Sequence, residues 1–459
     1  MSGDSDRQNI LIATVLMGFG TPLALTAIPV ALPSIAIELP MSAVQMGWVS
    51  LAFSLTLGIF ALPFGRLADI WGRKKFFTIG LAVGTIAMIL SALSSFTLML
   101  ILSQALQGIG FAMVLSTGVA LLSSAYSTKE RGRVLGIYMA AVYFGMSFGP
   151  TVGGLLTYNF GWRSIFAPAI ALLIPTVILI VRGVKGEWAE AKGETLDILG
   201  SALLSFTLFL ILYGFSSLPS QLGIILLITG ILFAILFIVW EMKTKSPVLN
   251  IRLMVNNRLF AFSSVTHLLH AIATFPVPFI MSLYLQYIKE LNPQQTGFIL
   301  LTQPFVMAIF SPIAGRVSDR MQPRVLVSIA GVTILFGIVL LLFSTTRTTL
   351  ITIVASLFLI GLGYAFFASP DTNAIMSSVD SRHYGIASAV ESTTRSVGIT
   401  LGMAILMMLF SLHIGTSQIT AEYFEPFVKS VRTAFAIYCG LSVCFIVTSA
   451  TRGKVVIHK

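Results

Sequence analysis

The chain contains fourteen apolar stretches, each long enough to cross a lipid bilayer, and that leaves few folds open to it. A helical crossing takes ~20 apolar residues, or about 30 Å at 1.5 Å per residue. The stretches run over 10–37, 43–65, 76–95, 97–125, 134–158, 163–182, 197–215, 222–241, 259–287, 294–315, 324–344, 349–377, 384–412 and 431–450. Little of the 459-residue chain is left for a separate soluble domain. Hydrocarbon cannot satisfy an open strand edge, and these runs are too long for barrel strands, so they are read as helices. Composition agrees. Only 10% of residues are charged, against roughly 25% in a soluble chain. The expected class is an all-α membrane protein embedded in the lipid bilayer.

A net charge of +11 would suggest nucleic acid as a partner for a soluble protein. Here it sorts by loop instead, and no nucleic-acid partner is expected. With the N-terminus placed in the cytoplasm, 22 of the 28 basic residues fall inside, among them Arg66, Arg73, Lys74, Lys75, Arg316, Arg324 and Arg452. Only Arg163, Lys289, Arg347, Lys429 and Arg432 fall outside, and Arg395 lies within a span. That asymmetry predicts a multi-pass protein of the plasma (inner) membrane with both termini in the cytoplasm. The run from Ile10 to Ile37 is too long for a signal-peptide core and reads as the first span. Cys439 and Cys444 share the last span and point away from each other on a helix, so no disulfide is expected. No Cys/His framework for a metal is present, and no cofactor is implied.

The sequence repeats itself. Gly65-Arg66-Leu67-Ala68-Asp69 returns as Gly315-Arg316-Val317-Ser318-Asp319. Gly108, Gly110, Gly132 and Gly149 return, in order, as Gly361, Gly363, Gly385 and Gly402. The expected organisation is two pseudo-symmetric six-helix bundles, 1–182 and 259–459, joined by a linker with two extra transmembrane helices over 183–258. A duplicated six-span unit is how secondary transporters are built, with the substrate cavity between the halves. No G-x-x-x-x-G-K-[ST] loop occurs, so the chain is not read as an ATP hydrolase, nor as an enzyme of another kind.

The loop after the second span reads Gly65-Arg66-Leu67-Ala68-Asp69-Ile70-Trp71-Gly72-Arg73-Lys74-Lys75. It resembles the signature loop of the major facilitator superfamily. The fifth span carries Gly145-x-x-x-Gly149-Pro150-x-x-Gly153-Gly154, which looks like the antiporter motif of that superfamily's drug-exporting branches. With fourteen spans, the resemblance is to the fourteen-span drug:proton antiporter family, over essentially the whole chain. It implies the major facilitator fold and a conformational latch at Gly65, Asp69 and Arg73, with Asp319 as its counterpart in the second half. Asp69 can pair with Arg73 or face the positive N-terminus of a helix from the other half. Small residues every four positions in the antiporter motif make a flat face for close helix packing, and Pro150 removes a helix hydrogen bond. The sequence departs from the family at two points. Ala24 stands where the first span has an Asp, and Gln104 stands where the fourth has an Arg.

Ionisable groups inside spans are costly and mark function by default. Asp371 follows Pro370 in the twelfth span, and its counterpart in the first half is Gly118. Desolvated and alone, it is the first candidate for coupling protons to transport. Glu391 and Arg395 lie at i, i+4 and can pair; they are either a structural ion pair or a second coupling site. His267 and His270 share a face of the ninth span and either titrate, bind substrate or pack. Pro276 and Pro278 in that span mirror Pro29 and Pro33 in the first, and both pairs suggest bendable helices. Gln104, Gln107, His267, His270, Phe279, Phe305 and Tyr364 are candidate lining residues of a substrate cavity. An apolar, aromatic cavity with one acid suits amphipathic, cationic small molecules. The resulting expectation is a monomeric transporter that exchanges protons for lipophilic drugs. The other reading is an exporter or facilitator of a metabolite, not coupled to protons.

Overall fold

The computed structural model describes residues 4–126, 128–189, 197–244, 257–318, 321–379, 384–415 and 417–453. Every regular element among them is helical. The first eight are α1 (Asp4–Glu38), α2 (Ala43–Trp71), α3 (Arg73–Ala92), α4 (Thr97–Ala125), α5 (Thr128–Phe160), α6 (Ala167–Gly183), α7 (Ile198–Ser216) and α8 (Gln221–Glu241). After them come α9 (Arg258–Thr274), α10 (Pro276–Leu283), α11 (Pro293–Leu300), α12 (Thr302–Ser318), α13 (Pro323–Leu342), α14 (Leu350–Ser377), α15 (Tyr384–His413) and α16 (Phe424–Thr451). Counting α9 with α10 and α11 with α12 as single crossings, 14 segments are long and apolar enough to span a membrane. They are the stretches read from the sequence.

Prolines decide where two of these crossings break. Pro276 opens α10, a position where its missing N–H costs nothing, and α9 ends just before it. The chain also breaks between α11 and α12, where Pro304 cannot donate to the carbonyl of Leu300. By contrast Pro22, Pro29 and Pro33 lie inside a continuous α1. Helices also outrun their apolar windows. α16 starts at Phe424 and carries Glu425 and Lys429 before the apolar run begins at 431.

Contacts divide the chain into two compact units. One comprises Met1–Met41, Trp48–Ser205 and Asn292–Phe298; the other comprises Ser42–Gly47, Phe206–Leu291 and Ile299–Lys459. In the first unit α1 packs on α5 and α6, and α3 packs on α4. In the second, α9 packs on α15 and α16, and α13 and α12 both pack on α14.

The glycines show that the two units use one packing scheme. A Cβ on Gly108 of α4 would overlap the carbonyl oxygen of Phe53, and one on Gly361 of α14 would overlap that of Gln303. Gly110 lies against Gly80 and Gly84, and Gly363 against Ala330 and Ile334. Gly65 faces Ser116, and Gly315 faces Ser369. Each contact in one unit has its equivalent about 250 residues on, as the repeat requires. Backbones this close leave no room for a side chain. Gly108→Val and Gly361→Val are each expected to lower thermal stability in detergent by ~1–3 kcal/mol or more, the usual cost of overpacking. Gly136→Val, where a Cβ meets nothing within 4 Å, serves as the control and is expected to melt as the unaltered protein does.

Candidate functional site

The charged centre of the second unit is assembled by α9, α14 and the end of α16. Asp371 is fully buried on α14. Arg452, the C-cap residue just past α16, is also buried and donates from one terminal nitrogen to Asp371 Oδ1 at 2.7 Å. His267 of α9 places Nδ1 3.1 Å from Asp371 Oδ2. An ionised carboxylate only accepts, so in the ion pair His267 Nδ1 carries the proton. The same Arg452 nitrogen reaches Ser263 Oγ at 3.5 Å, while the guanidinium's Nε and other terminal nitrogen have no partner among the described residues.

An aromatic layer lies beside this polar one, built from the same helices. His270, one turn on from His267, stacks on Phe367 with centroids 3.9 Å apart and planes at 17°. Tyr364 and Phe445 approach the same imidazole at 4.9 and 5.9 Å. Phe367 in turn lies one turn before Asp371 on α14. His270 is buried and its Nε2 has no hydrogen-bond partner.

This arrangement corrects the expectation of a lone acid. Asp371 is desolvated, but a guanidinium and an imidazole accompany it. By charge sorting alone Arg452 falls with the loop cations. Helical phase is the one signal against that, since Arg452 shares a face with the buried Ser449 and Phe445. The Glu391–Arg395 pair is corrected too. Glu391 instead accepts from Thr372 Oγ1 of α14 at 2.6 Å, and Arg395 is exposed and outside ion-pair distance of it. An i, i+4 spacing permits a pair; a hydroxyl on the neighbouring helix competes for the same carboxylate.

In the first unit the signature loop does form its pair. Arg73 Nε donates to Asp69 Oδ1 at 2.7 Å, and a terminal nitrogen of the same guanidinium donates to Ser124 Oγ of α4 at 2.6 Å. Asp319 lies outside the described residues. The antiporter-motif glycines sit where α5 crosses α1: a Cβ on Gly145 would overlap the Phe19 carbonyl, and Gly149 and Gly153 lie against Thr26 and Ala27. Gly154 faces the carbonyl of Pro293, and Gly297 that of Pro150. Gln104 is buried and donates to Ser91 Oγ at 3.2 Å, while Gln107 is buried with both amide atoms unpartnered. The remaining cavity candidates are not gathered on one surface. Phe279 is 2% exposed, Phe305 is 55% exposed, and Tyr364 packs in the aromatic layer.

A helical chain of fourteen crossings, with duplicated packing and a buried ionic centre, is a polytopic membrane transporter. The Major Facilitator Superfamily model matches residues 14–403 and 263–453. The chain belongs to that superfamily. It is 30% identical over 369 residues to the multidrug resistance protein Stp of Mycobacterium tuberculosis, which covers 78% of this chain and 67% of that one. It is 26% identical over 399 residues to the riboflavin transporter RibZ of Clostridioides difficile, covering 87% of each. Among solved structures, a bacterial homologue of the human lysosomal transporter Spinster shares the fold with a TM-score of 0.71 at 14% identity, covering 98% of this chain and 97% of that one.

Removing one member of a buried ion pair strands the other, at a cost of ~3–5 kcal/mol, whereas replacing both is close to neutral. Arg452→Ala is therefore expected to destabilise the protein strongly, and Asp371→Asn with Arg452→Gln to restore most of the loss. Thermal melting of the three purified proteins checks this.

Proposed function

We propose that this chain exports lipophilic, cationic compounds across the plasma membrane in exchange for protons, by alternating access. On this reading residues 1–182 and 259–459 are the two rocking halves, 183–258 carries the added pair of helices, and both termini are cytoplasmic. The observation that carries the reading is the buried Asp371, held between His267 and Arg452 inside the protein. An acid at such a site has two alternatives, the ion pair or the proton. Loading a proton onto Asp371 releases Arg452 and the imidazole, which converts proton binding into a change of helix contacts among α9, α14 and α16. The likeness to a multidrug resistance protein supports the substrate class. Asp69, held by Arg73, sets the balance between inward- and outward-facing states.

A second reading is favoured by a specific observation. Asp371 is already engaged by Arg452, and Ala24 stands in α1 where the drug-exporting family has an Asp. The chain would then carry a metabolite without proton coupling, and the likeness to a riboflavin transporter supports that class.

Ethidium efflux from cells, measured with and without a protonophore, separates the two. Under the first reading efflux stops when the proton gradient collapses, and Asp371→Asn, folded, loses gradient-driven export by at least tenfold. Efflux that continues without the gradient, or an Asp371→Asn protein with unaltered pH dependence, removes Asp371 from the coupling. Asp69→Asn is expected to slow ethidium turnover with its apparent affinity unchanged; an unaltered rate makes the loop a topological anchor only.

A further inference from the structure

The segment that leaves α6 does not run free. Gly183 accepts a hydrogen bond from Asn9 Nδ2 of α1 at 2.7 Å. Asp6 of α1 accepts the backbone N–H groups of Lys185 and Gly186, the latter at 3.1 Å. Two residues further on, the segment meets the signature loop. The Glu187 carboxylate accepts the N–H of Lys74 at 2.8 Å, and the carbonyl of Trp188 accepts the N–H of Arg73, also at 2.8 Å. The Lys74 ammonium donates to the carbonyl of Val184.

These are the first two N–H groups of α3, which no carbonyl within the helix can satisfy. Gly72, which precedes them, offers no side chain to cap them. It has φ 119°, and a Cβ on it would overlap the Glu187 carboxyl. The positive φ is what requires glycine here, and the Glu187 carboxyl, the far end of a flexible side chain, lies over its Cα. A carboxylate at a helix N-terminus also meets the positive end of the helix dipole. The other unit differs at this point. There the position of Arg73 is taken by Pro323, which has no N–H to satisfy, and that of Gly72 by Gln322.

From this we infer that Glu187 is a positioning residue of the transport cycle: the connector after α6, through Glu187 and Trp188, seats the start of α3 so that the Arg73 guanidinium holds Asp69 and Ser124. The connector therefore sets the strength of the Asp69–Arg73 latch, and a pull on it loosens that pair. The inference rests on the reading of that pair as a latch, and the two are separable by experiment.

Phenylglyoxal modification of Arg73 in the purified full-length protein, followed by mass spectrometry, needs no substrate. Glu187→Ala is expected to speed modification of Arg73 several-fold, and Glu187→Gln, which keeps the acceptor oxygen, to react as the unaltered protein does. A modification rate unchanged in a folded Glu187→Ala protein overturns the inference. Ethidium efflux tests the link to the cycle. Glu187→Ala slows it, and Glu187→Ala combined with Asp69→Asn is no slower than Asp69→Asn alone. Multiplicative slowing in the double variant also overturns the inference, because it places Glu187 on a separate path. An Asp69→Asn protein with normal efflux sinks the latch reading and leaves the Arg73 modification result to decide whether Glu187 positions the arginine.

Discussion

In a bilayer, helices gain little by hiding apolar side chains from one another, because lipid tails are as apolar as leucine. What binds two of them is how near their backbones come. This chain meets that constraint with glycine at the crossing points. Gly145 and Gly149 let α5 settle onto α1, Gly108 lets α4 settle onto α2, and Gly110 lets it settle onto α3. Where α2 and α4 meet, the contact is close enough for Thr56 Oγ1 to donate to the backbone carbonyl of Ala105 at 2.8 Å. The same solution recurs in the second unit through Gly361, Gly363, Gly398 and Gly402. The duplicated motif is thus a duplicated set of backbone contacts.

The spans were legible because hydropathy acts over ~20 residues at a time and needs no tertiary information. The glycine motifs were legible because a small-residue stripe has one main use inside a membrane. Arg452 was not, because the rule that sorts basic residues into loops treats every cation beyond an apolar run alike. Only the helical phase of Arg452 relative to Ser449 and Phe445 separates a buried guanidinium from a loop charge. The Glu391–Arg395 pair failed for a related reason. Spacing within one helix says which groups can meet, while Thr372 on another helix decided which did. The capping of α3 by Glu187 joins residues 113 apart in sequence, through a connector with no periodicity of its own, and nothing local announces it.

The duplicated scaffold also isolates what the second half has added. Gly118 lies against Met17 in the first unit, and at the equivalent place in the second Asp371 meets His267. One contact between equivalent helices is made with a glycine and a thioether in one half, and with a carboxylate and an imidazole in the other. The crossing therefore has an apolar solution, and the charges are not required to form it. A buried ion pair is weak evidence for stability, since desolvating both groups offsets much of their attraction. Here two of the arginine nitrogens also find no partner among the described residues. A sequence under selection for packing alone had Gly118 and Met17 available as a template. The second half holds Asp371 and His267 in their place, with Arg452 added, so packing alone does not account for these charges.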